Sequence, residues 1–453
     1  MDELEFTESE WNTCLKVLEI LKNDPLNNPD NKRFSGIITK LHKNAKKALN
    51  KEKNENRARQ DKETVFSSAI AMNALAGVSF FSDGKPKEQR YKAVHNPRNC
   101  YCCNSPYYDV HSFYHRLCPD CAEQNYAWRF RSPDLSGRNI IITGGRVKVG
   151  FATALRFLRA GANVTVTTRF PALALETYSK EPDYSEWKDK LFLYGLDLRN
   201  LGAVKEFITE YKKRYPHLDI LINNAAQTIK YTEEFYRPII AEERKHLENL
   251  SSANRLFSEN KTPVTENETR RLPASSFDKV SLTRFGQPVD TRHKNSWNST
   301  LEEIGDYELL EVNLINQISP YLMLRELASH MRNSPYPERF VINVTSSEGQ
   351  FSYSNKTIYH PHTNMTKAAL NMMTRTSARE LAVSGIFMNA VDVGWISTGA
   401  VESLRKRQFE RGYIPPLDSV DGASRIMHPV FESLINKVTF VGKLLKNYKI
   451  ENW

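Results

Sequence analysis

The chain lacks any apolar stretch long enough to span a membrane. The longest candidate, Ser68 to Phe81, is broken by Asn73, Ser79 and several small residues. Cysteine is scarce: there are six in 453 residues, and only Cys14 lies outside the segment from Cys100 to Cys121. That distribution excludes a disulfide framework running through the fold and reads as metal binding. No charged-then-apolar leader opens the chain, so a cytoplasmic protein is expected. Aromatic residues are few where positive charge is densest. Between Lys32 and Lys62, Lys40, Lys43, Lys46, Lys47, Lys51, Lys53, Arg57 and Arg59 supply much of a net charge of +10. Without interleaved rings to stack on bases, no nucleic-acid partner is expected there. The stretch reads as a basic, solvated helix, open to an anionic partner, after an amphipathic segment at Trp11, Leu15, Val17, Leu18 and Leu21.

What is present begins at Asn139. Ile140, Ile141 and Ile142 form a short β-branched run of the kind found in buried parallel strands. Gly144 and Gly145 follow at once, and Phe151, Leu155 and Leu158 then fall at helical spacing. Strand, glycine turn and helix in that order present backbone N–H groups and a helix N-terminus to a phosphate. Further strands are expected at Asn163–Thr168, Leu191–Leu196, Asp219–Asn224, Phe340–Val344 and Phe387–Val393, separated by helical patterns. The fold class is therefore α/β, a doubly wound parallel sheet (Rossmann fold), with ligands at the carboxyl ends of its strands. A helical N-terminal region and a small four-cysteine module precede it.

The cofactor is read from the tip of the second strand. An acidic residue there suits the ribose 2′-hydroxyl of NAD, whereas arginine suits the 2′-phosphate of NADP. Here the strand ends Thr167-Thr168-Arg169 with no carboxylate, and Arg146 and Lys148 lie in the neighbouring turn. Three cations and a missing acid predict NADP.

Over residues 135–440, less one insertion, the chain resembles the short-chain dehydrogenase/reductase superfamily. T-G-G-R-V-K-V-G at 143–150 is similar to the family's T-G-x-x-x-G-x-G loop, which implies cofactor contacts from Thr143, Gly144, Gly145, Arg146, Lys148 and Gly150. The resemblance also implies that Asp197 meets the adenine ring. Asn223-Asn224-Ala225-Ala226 looks like the N-N-A-G element, with Asn224 and Ala225 at the cofactor. Asn313 in Val-Asn-Leu resembles the family's proton-relay asparagine, Ser346 the serine that hydrogen-bonds the substrate carbonyl, and Lys367 the lysine of Tyr-x-x-x-Lys. Gly394 to Thr398, with Ile396 between them, is similar to the segment that meets the nicotinamide carboxamide.

Four positions depart from that pattern. Lys148 replaces a glycine, Ala226 a glycine and Val393 a proline. The fourth departure touches the chemistry, because Thr363 stands four residues before Lys367, where the family has its tyrosine. An aliphatic hydroxyl is too weak an acid for general acid–base work. Tyr359, His360 and His362 are the candidate replacements; Tyr359 is one turn upstream, and histidine titrates near neutrality. Pro361 belongs at a helix start, so Tyr359-His360-Pro361-His362 reads as a loop entering that helix.

Cys100-x-x-Cys103 and Cys118-x-x-Cys121 have the spacing of a structural zinc site on two knuckles. Cys102, His111 and His115 lie near enough in sequence to join it. The expected domains are a basic helical region at 1–92, a zinc module at 93–130 and the Rossmann domain at 131–453. The last carries an insertion at about 228–300, with charged helical stretches at Thr232–Leu250 and Leu301–Leu310 and a polar loop at Glu259–Pro273. Because it leaves from the end of the fourth strand, a lid over the active site is expected. Val401–Pro416 is expected as a substrate loop, and Phe431, Leu434, Phe440 and Val441 as the sheet edge and its covering helix. Two functions follow. One is an NADP(H)-dependent oxidoreductase acting on a small carbonyl or alcohol, and capable of forming a homo-oligomer. The other is an inactive NADP(H)-binding sensor or scaffold.

Overall fold

The lysine-rich N-terminal stretch has little to bury, and it folds accordingly. Helix α1 (Glu8–Leu21) starts from a capping box in which Thr7 N–H donates to Glu10 Oε2 at 2.7 Å and Glu10 N–H donates to Thr7 Oγ1 at 3.3 Å; none of its residues is buried. Helix α2 (Asn31–Phe66) runs 36 residues. The computed structural model describes residues 5–77, 88, 90–249, 283, 286–354 and 356–453. Two compact units divide the chain, residues 1–63 with 94–96 and residues 64–93 with 97–453. In the first unit the Asp61 carboxylate accepts from the backbone N–H of His95 at 2.7 Å and of Asn96 at 3.1 Å.

The second unit opens with α3 (Ala69–Leu75) and an antiparallel hairpin of β1 (Tyr91–Asn99) and β2 (Pro106–His111), followed by α4 (Pro119–Trp128). Then come β3 (Asn139–Thr143), α5 (Lys148–Arg159), β4 (Asn163–Thr168), α6 (Pro171–Ser179), the single turn α7 (Tyr184–Trp187), β5 (Leu191–Gly195), α8 (Leu201–Arg214) and β6 (Ile220–Asn223). Helix α9 (Glu233–Asn249) begins the insertion. After it follow α10 (Asp306–Asn313), a π-turn at Leu314–Ile318, α11 (Ser319–Arg332), β7 (Arg339–Thr345), α12 (Pro361–Val383) and β8 (Ile386–Asp392). The chain ends with α13 (Glu402–Glu410), α14 (Ser419–Phe431), β9 (Leu444–Lys446) and β10 (Lys449–Glu451).

Eight strands make one sheet in the order β10-β9-β8-β7-β6-β3-β4-β5, parallel except for β10. The expected strands form within a residue or two of their expected ends. The isoleucine run shows why a parallel sheet suits this sequence: alternate side chains leave opposite faces. Ile140 and Ile142 pack with Phe151, Leu155 and Phe431 of α5 and α14, while Ile141 packs with Phe207, Leu327 and Leu381 of α8, α11 and α12. The doubly wound fold is thus built from two apolar layers, each fully dry at the sheet.

The Cys module is fastened to this body through α14. Arg129 from the end of α4 donates to Asp418 at 2.7 and 3.0 Å and to Asp421 at 3.0 Å, and the Tyr114 hydroxyl donates to Asp421 at 2.6 Å. All four side chains are shielded from solvent, so each charge is compensated within the network, as burial demands.

The edge of the sheet differs from expectation. Phe431 ends α14 and is fully buried, but the edge strands lie after Val441, at β9 and β10. The segment 401–416 is mostly the helix α13. Of the insertion, α9 and residues 286–300 are described, whereas the polar loop at Glu259–Pro273 lies outside the described residues. Among the described residues no helix is long and apolar enough to cross a membrane.

Candidate functional site

A cleft of about 770 Å³ opens at the carboxyl ends of β3, β4, β6, β7 and β8. Its floor is the glycine turn. Thr143 Oγ1 accepts from the backbone N–H groups of Asn224 and Ala225, each at 3.0 Å, and Asn224 Nδ2 donates to the carbonyls of Thr143 at 2.9 Å and Gly144 at 3.2 Å. The N-N-A-A element therefore braces the turn and leaves the α5 N-terminus facing the cleft. Gly144 has φ +69°, and a Cβ on Gly150 would lie 2.2 Å from the Gly144 carbonyl oxygen, so both positions require glycine. Lys148, at the family's middle glycine, also takes the left-handed region, with φ +55°. A non-glycine residue there costs about 1–2 kcal/mol. The chain retains a cation at the phosphate turn in spite of that strain.

Arg146 and Arg169 converge on one ring. Each guanidinium lies 5.5 Å from the Phe170 centroid, and Arg169 also lies 4.6 Å from the Tyr236 centroid, donating to the Tyr236 hydroxyl at 3.0 Å. Arg146 has neither a hydrogen bond nor an ion pair among the described residues. Burial, with Arg169 beside it, lowers the Arg146 guanidinium to about 10. Two like charges held together in a half-buried corner favour a dianionic ligand. Asp197 lies deeper, its carboxylate held by Arg199 at 2.7 and 3.0 Å, and Arg199 reaches on to Glu311 at 2.8 Å. Burial would raise the Asp197 carboxyl, but Arg199 outweighs it and keeps it below the usual range.

The far end of the cleft carries the departures. Ser346 and Thr363 both line it, as does Lys367, whose ammonium donates to the Val344 carbonyl at 2.7 Å. Burial lowers the Lys367 ammonium to about 8, against the opposing pull of Glu348 and Asp392. The Thr363 hydroxyl is buried without a partner. Pro361 occupies the first turn of α12, and His360 is its N-cap in the left-handed region, with φ 41°. That conformation turns His360 into the cleft. Its ring stacks on Trp297 of the insertion at 4.7 Å, its Nδ1–H donates to the Trp297 carbonyl at 2.9 Å, and Nε2 lies 4.0 Å from Glu348 Oε1. Because a carbonyl oxygen only accepts, Nδ1 carries the proton. Tyr359 and His362 take no place in the cleft wall. Tyr359 is 37% exposed, and His362 is buried against the Thr228 carbonyl at 3.2 Å and Glu308 at 3.5 Å.

Asn313 also stands apart. Its amide donates to the Leu309 carbonyl at 2.7 Å and its oxygen accepts from Gln317, both within its own helical stretch. The fully buried asparagine of this region is Asn316, in the π-turn. It accepts from Gln227 N–H at 2.8 Å and donates to the Gln227 carbonyl at 2.9 Å and to Thr366 Oγ1 at 3.0 Å. A π-turn shifts side chains by one position around the axis, which a short sequence motif does not disclose. Gly394 keeps φ +81°, and with Trp395 it lines the cleft; Ile396 is buried, and Thr398 Oγ1 accepts from Ala400 N–H at 3.1 Å.

The four cysteine sulfurs of Cys100, Cys103, Cys118 and Cys121 lie within 4.8 Å of one another. Tetrahedral zinc with Zn–S bonds of about 2.3 Å holds its sulfurs about 3.8 Å apart, so the donor set fits after a small contraction. His111 and His115 are occupied elsewhere: His111 Nδ1 accepts from Phe113 N–H at 3.0 Å, and His115 Nε2 faces the Ile414 carbonyl at 3.3 Å.

Comparison with known proteins agrees with this architecture. The family profile described as short chain dehydrogenase matches residues 138–245, and the one described as Enoyl-(Acyl carrier protein) reductase matches residues 293–413. An uncharacterised protein of Acanthamoeba polyphaga mimivirus is 35% identical over 347 residues, 74% of this chain and 71% of that one. Dehydrogenase/reductase SDR family member 13 of Homo sapiens is 33% identical over 92 residues, 20% of this chain and 24% of that protein. Among solved structures, a short-chain dehydrogenase/reductase of unknown function from Caenorhabditis elegans, determined with cofactor, has a TM-score of 0.48 at 17% identity and covers 70% of this chain and 96% of that one.

Proposed function

The chain belongs to the short-chain dehydrogenase/reductase superfamily, and from that premise we propose that it is an NADP(H)-dependent oxidoreductase of a small carbonyl or alcohol. The observation that carries the cofactor reading is the Arg146–Phe170–Arg169 corner, where two guanidiniums flank one ring. A 2′-phosphate accepts from both forks and relieves their mutual repulsion. The glycine turn and α5 N-terminus would hold the pyrophosphate, and Lys367 would hold the ribose hydroxyls. When bound, the nicotinamide supplies or accepts the hydride.

The proton is handled by this chain's own residues. Ser346 donates to the substrate carbonyl oxygen and places it at the end of β7. His360 takes the part that the missing tyrosine plays in the family: with Nδ1–H fixed on the Trp297 carbonyl, Nε2 gives its proton to the developing alkoxide during reduction, or takes it from the alcohol during oxidation. Trp297 excludes water from that face and makes the insertion part of the site. Asn316 stands where it can join Gln227 to α12, a positioning role. The Cys100, Cys103, Cys118 and Cys121 set would hold one structural zinc, with no open coordination position for substrate.

Titration of the zinc-replete protein with NADPH and NADH, followed by a screen of carbonyl substrates, tests the reading. Tight NADPH binding, weak NADH binding and NADPH consumption with at least one carbonyl are expected. Binding without turnover across the screen would return the chain to the sensor reading, and equal affinity for both nucleotides would remove the role of the arginine corner.

A further inference from the structure

The cysteine module does more than sit on the Rossmann edge. Tyr101, between Cys100 and Cys102, leaves its knuckle and lines the nucleotide cleft. Its hydroxyl accepts from the Trp395 backbone N–H at 2.7 Å. It lies so close to Gly394 that a Cβ built there would come within 3.3 Å of the hydroxyl oxygen and 2.7 Å of Leu417 Cδ1. A second module residue reaches the same place independently: the Arg116 guanidinium lies 5.5 Å from the centroid of the Trp395 ring. The two are joined, since Tyr101 N–H donates to the Arg116 carbonyl at 2.8 Å. Tyr101 thus grows from the first cysteine pair, and Arg116 comes just before the second. The geometry holds Trp395 by its backbone and by its ring, and both grips originate in the four-cysteine cluster.

We propose that the four-cysteine centre sets the nicotinamide-side wall of the cleft through Tyr101 and Arg116, so that affinity for the nicotinamide half of the nucleotide depends on the metal. The inference rests on the NADP(H) reading above. Tyr101 and Arg116 are positioning residues: they act on Gly394 and Trp395 and take no proton. With zinc in place, the two knuckles are fixed relative to each other and Trp395 is held against the cleft. Without it, the Tyr101–Trp395 hydrogen bond and the Arg116 stacking lose their common anchor, while the arginine corner at the other end is untouched.

The test uses the full chain and two ligands, NADPH and adenosine 2′,5′-bisphosphate, the second of which occupies only the adenosine end. Affinities come from calorimetry, zinc content from mass spectrometry, and the environment of Trp395 from fluorescence, compared with Trp395→Phe. Tyr101→Phe keeps the ring and the metal and removes one hydrogen bond. It is expected to weaken NADPH about fivefold, with unchanged zinc content and unchanged bisphosphate affinity. Zinc removal by a chelator, or Cys121→Ser, is expected to weaken NADPH further and again to spare the bisphosphate. If NADPH affinity is unchanged in Tyr101→Phe or on zinc removal, or if both ligands weaken in parallel, the inference is overturned. Should the zinc-free chain unfold, exchange of the zinc for cadmium, whose longer bonds to sulfur move the knuckles, replaces removal: weaker NADPH binding with unchanged bisphosphate binding is expected, and unchanged NADPH binding overturns the inference. Failure of the unaltered chain to bind the bisphosphate is a different result: it removes the NADP(H) reading, and the inference falls with it.

Discussion

The two ends of the cleft were built under different constraints. The end at the glycine turn keeps the family pattern and adds charge to it: Thr143, Asn224 and Ala225 brace the turn, and Arg146, Lys148 and Arg169 line the cleft beside it, one of them in a strained conformation. The nicotinamide end keeps Ser346 and Lys367 but replaces the tyrosine with Thr363, and it borrows side chains from outside the Rossmann core. Trp297 and His360 come through the insertion and a left-handed helix cap, and Tyr101 through the cysteine module. Holding a nucleotide needs backbone geometry and positive charge, which the sheet supplies by itself. Moving a proton needs one group of suitable acidity at one point, and any element that reaches that point can provide it.

The contrast can be broken most sharply at His360. His360→Gln keeps a hydrogen-bonding side chain of similar reach but cannot exchange a proton at neutral pH. Turnover is expected to fall about 10²–10⁴-fold, with NADPH affinity unchanged in a direct titration. Retained turnover would remove His360 from the proton step. The opposite end is tested by Arg146→Met combined with Arg169→Met. Preference for NADPH over NADH is expected to drop about 10–100-fold, the loss of one or two charge-assisted hydrogen bonds, while the rate at saturating nucleotide is kept. A parallel fall in NADH affinity would mean that the arginines hold the fold and not the phosphate. The smallest effect is expected at Lys148→Gly, which relieves a left-handed lysine. Thermal unfolding should shift upward by about 1 °C, the equivalent of about 1 kcal/mol in a chain of this size, and NADPH should bind more weakly. A lower melting temperature would show that Lys148 contacts outweigh its backbone strain.

The adenosine end was open to sequence reading because its signals are local. A glycine turn between a strand and a helix, and an arginine where a carboxylate would stand, each lie within a few residues. The two cysteine pairs were legible for the same reason, as ligand spacing is written along the chain. The nicotinamide end was only partly legible. His360 stood among three candidates, and of the three it is the one that lines the cleft, from an N-cap with φ 41°. Asn313 carried the motif, yet the π-turn gives the buried bridge from Gln227 to Thr366 to Asn316, three residues on. Tyr101 could have been suspected from a large aromatic residue placed between two metal-spaced cysteines, but nothing in the sequence joins it to Trp395, 294 residues away.

By itself the sequence determined the parallel sheet, the glycine turn, the two arginines beside it and the four-sulfur cluster, because hydrophobic period, glycine placement and ligand spacing act over a few residues. Only the tertiary structure decided which histidine lines the cleft, which asparagine bridges to α12, and that the cysteine module reaches the cleft wall. Those outcomes depend on the direction of single side chains carried in from distant elements, and packing fixes direction where composition and spacing do not.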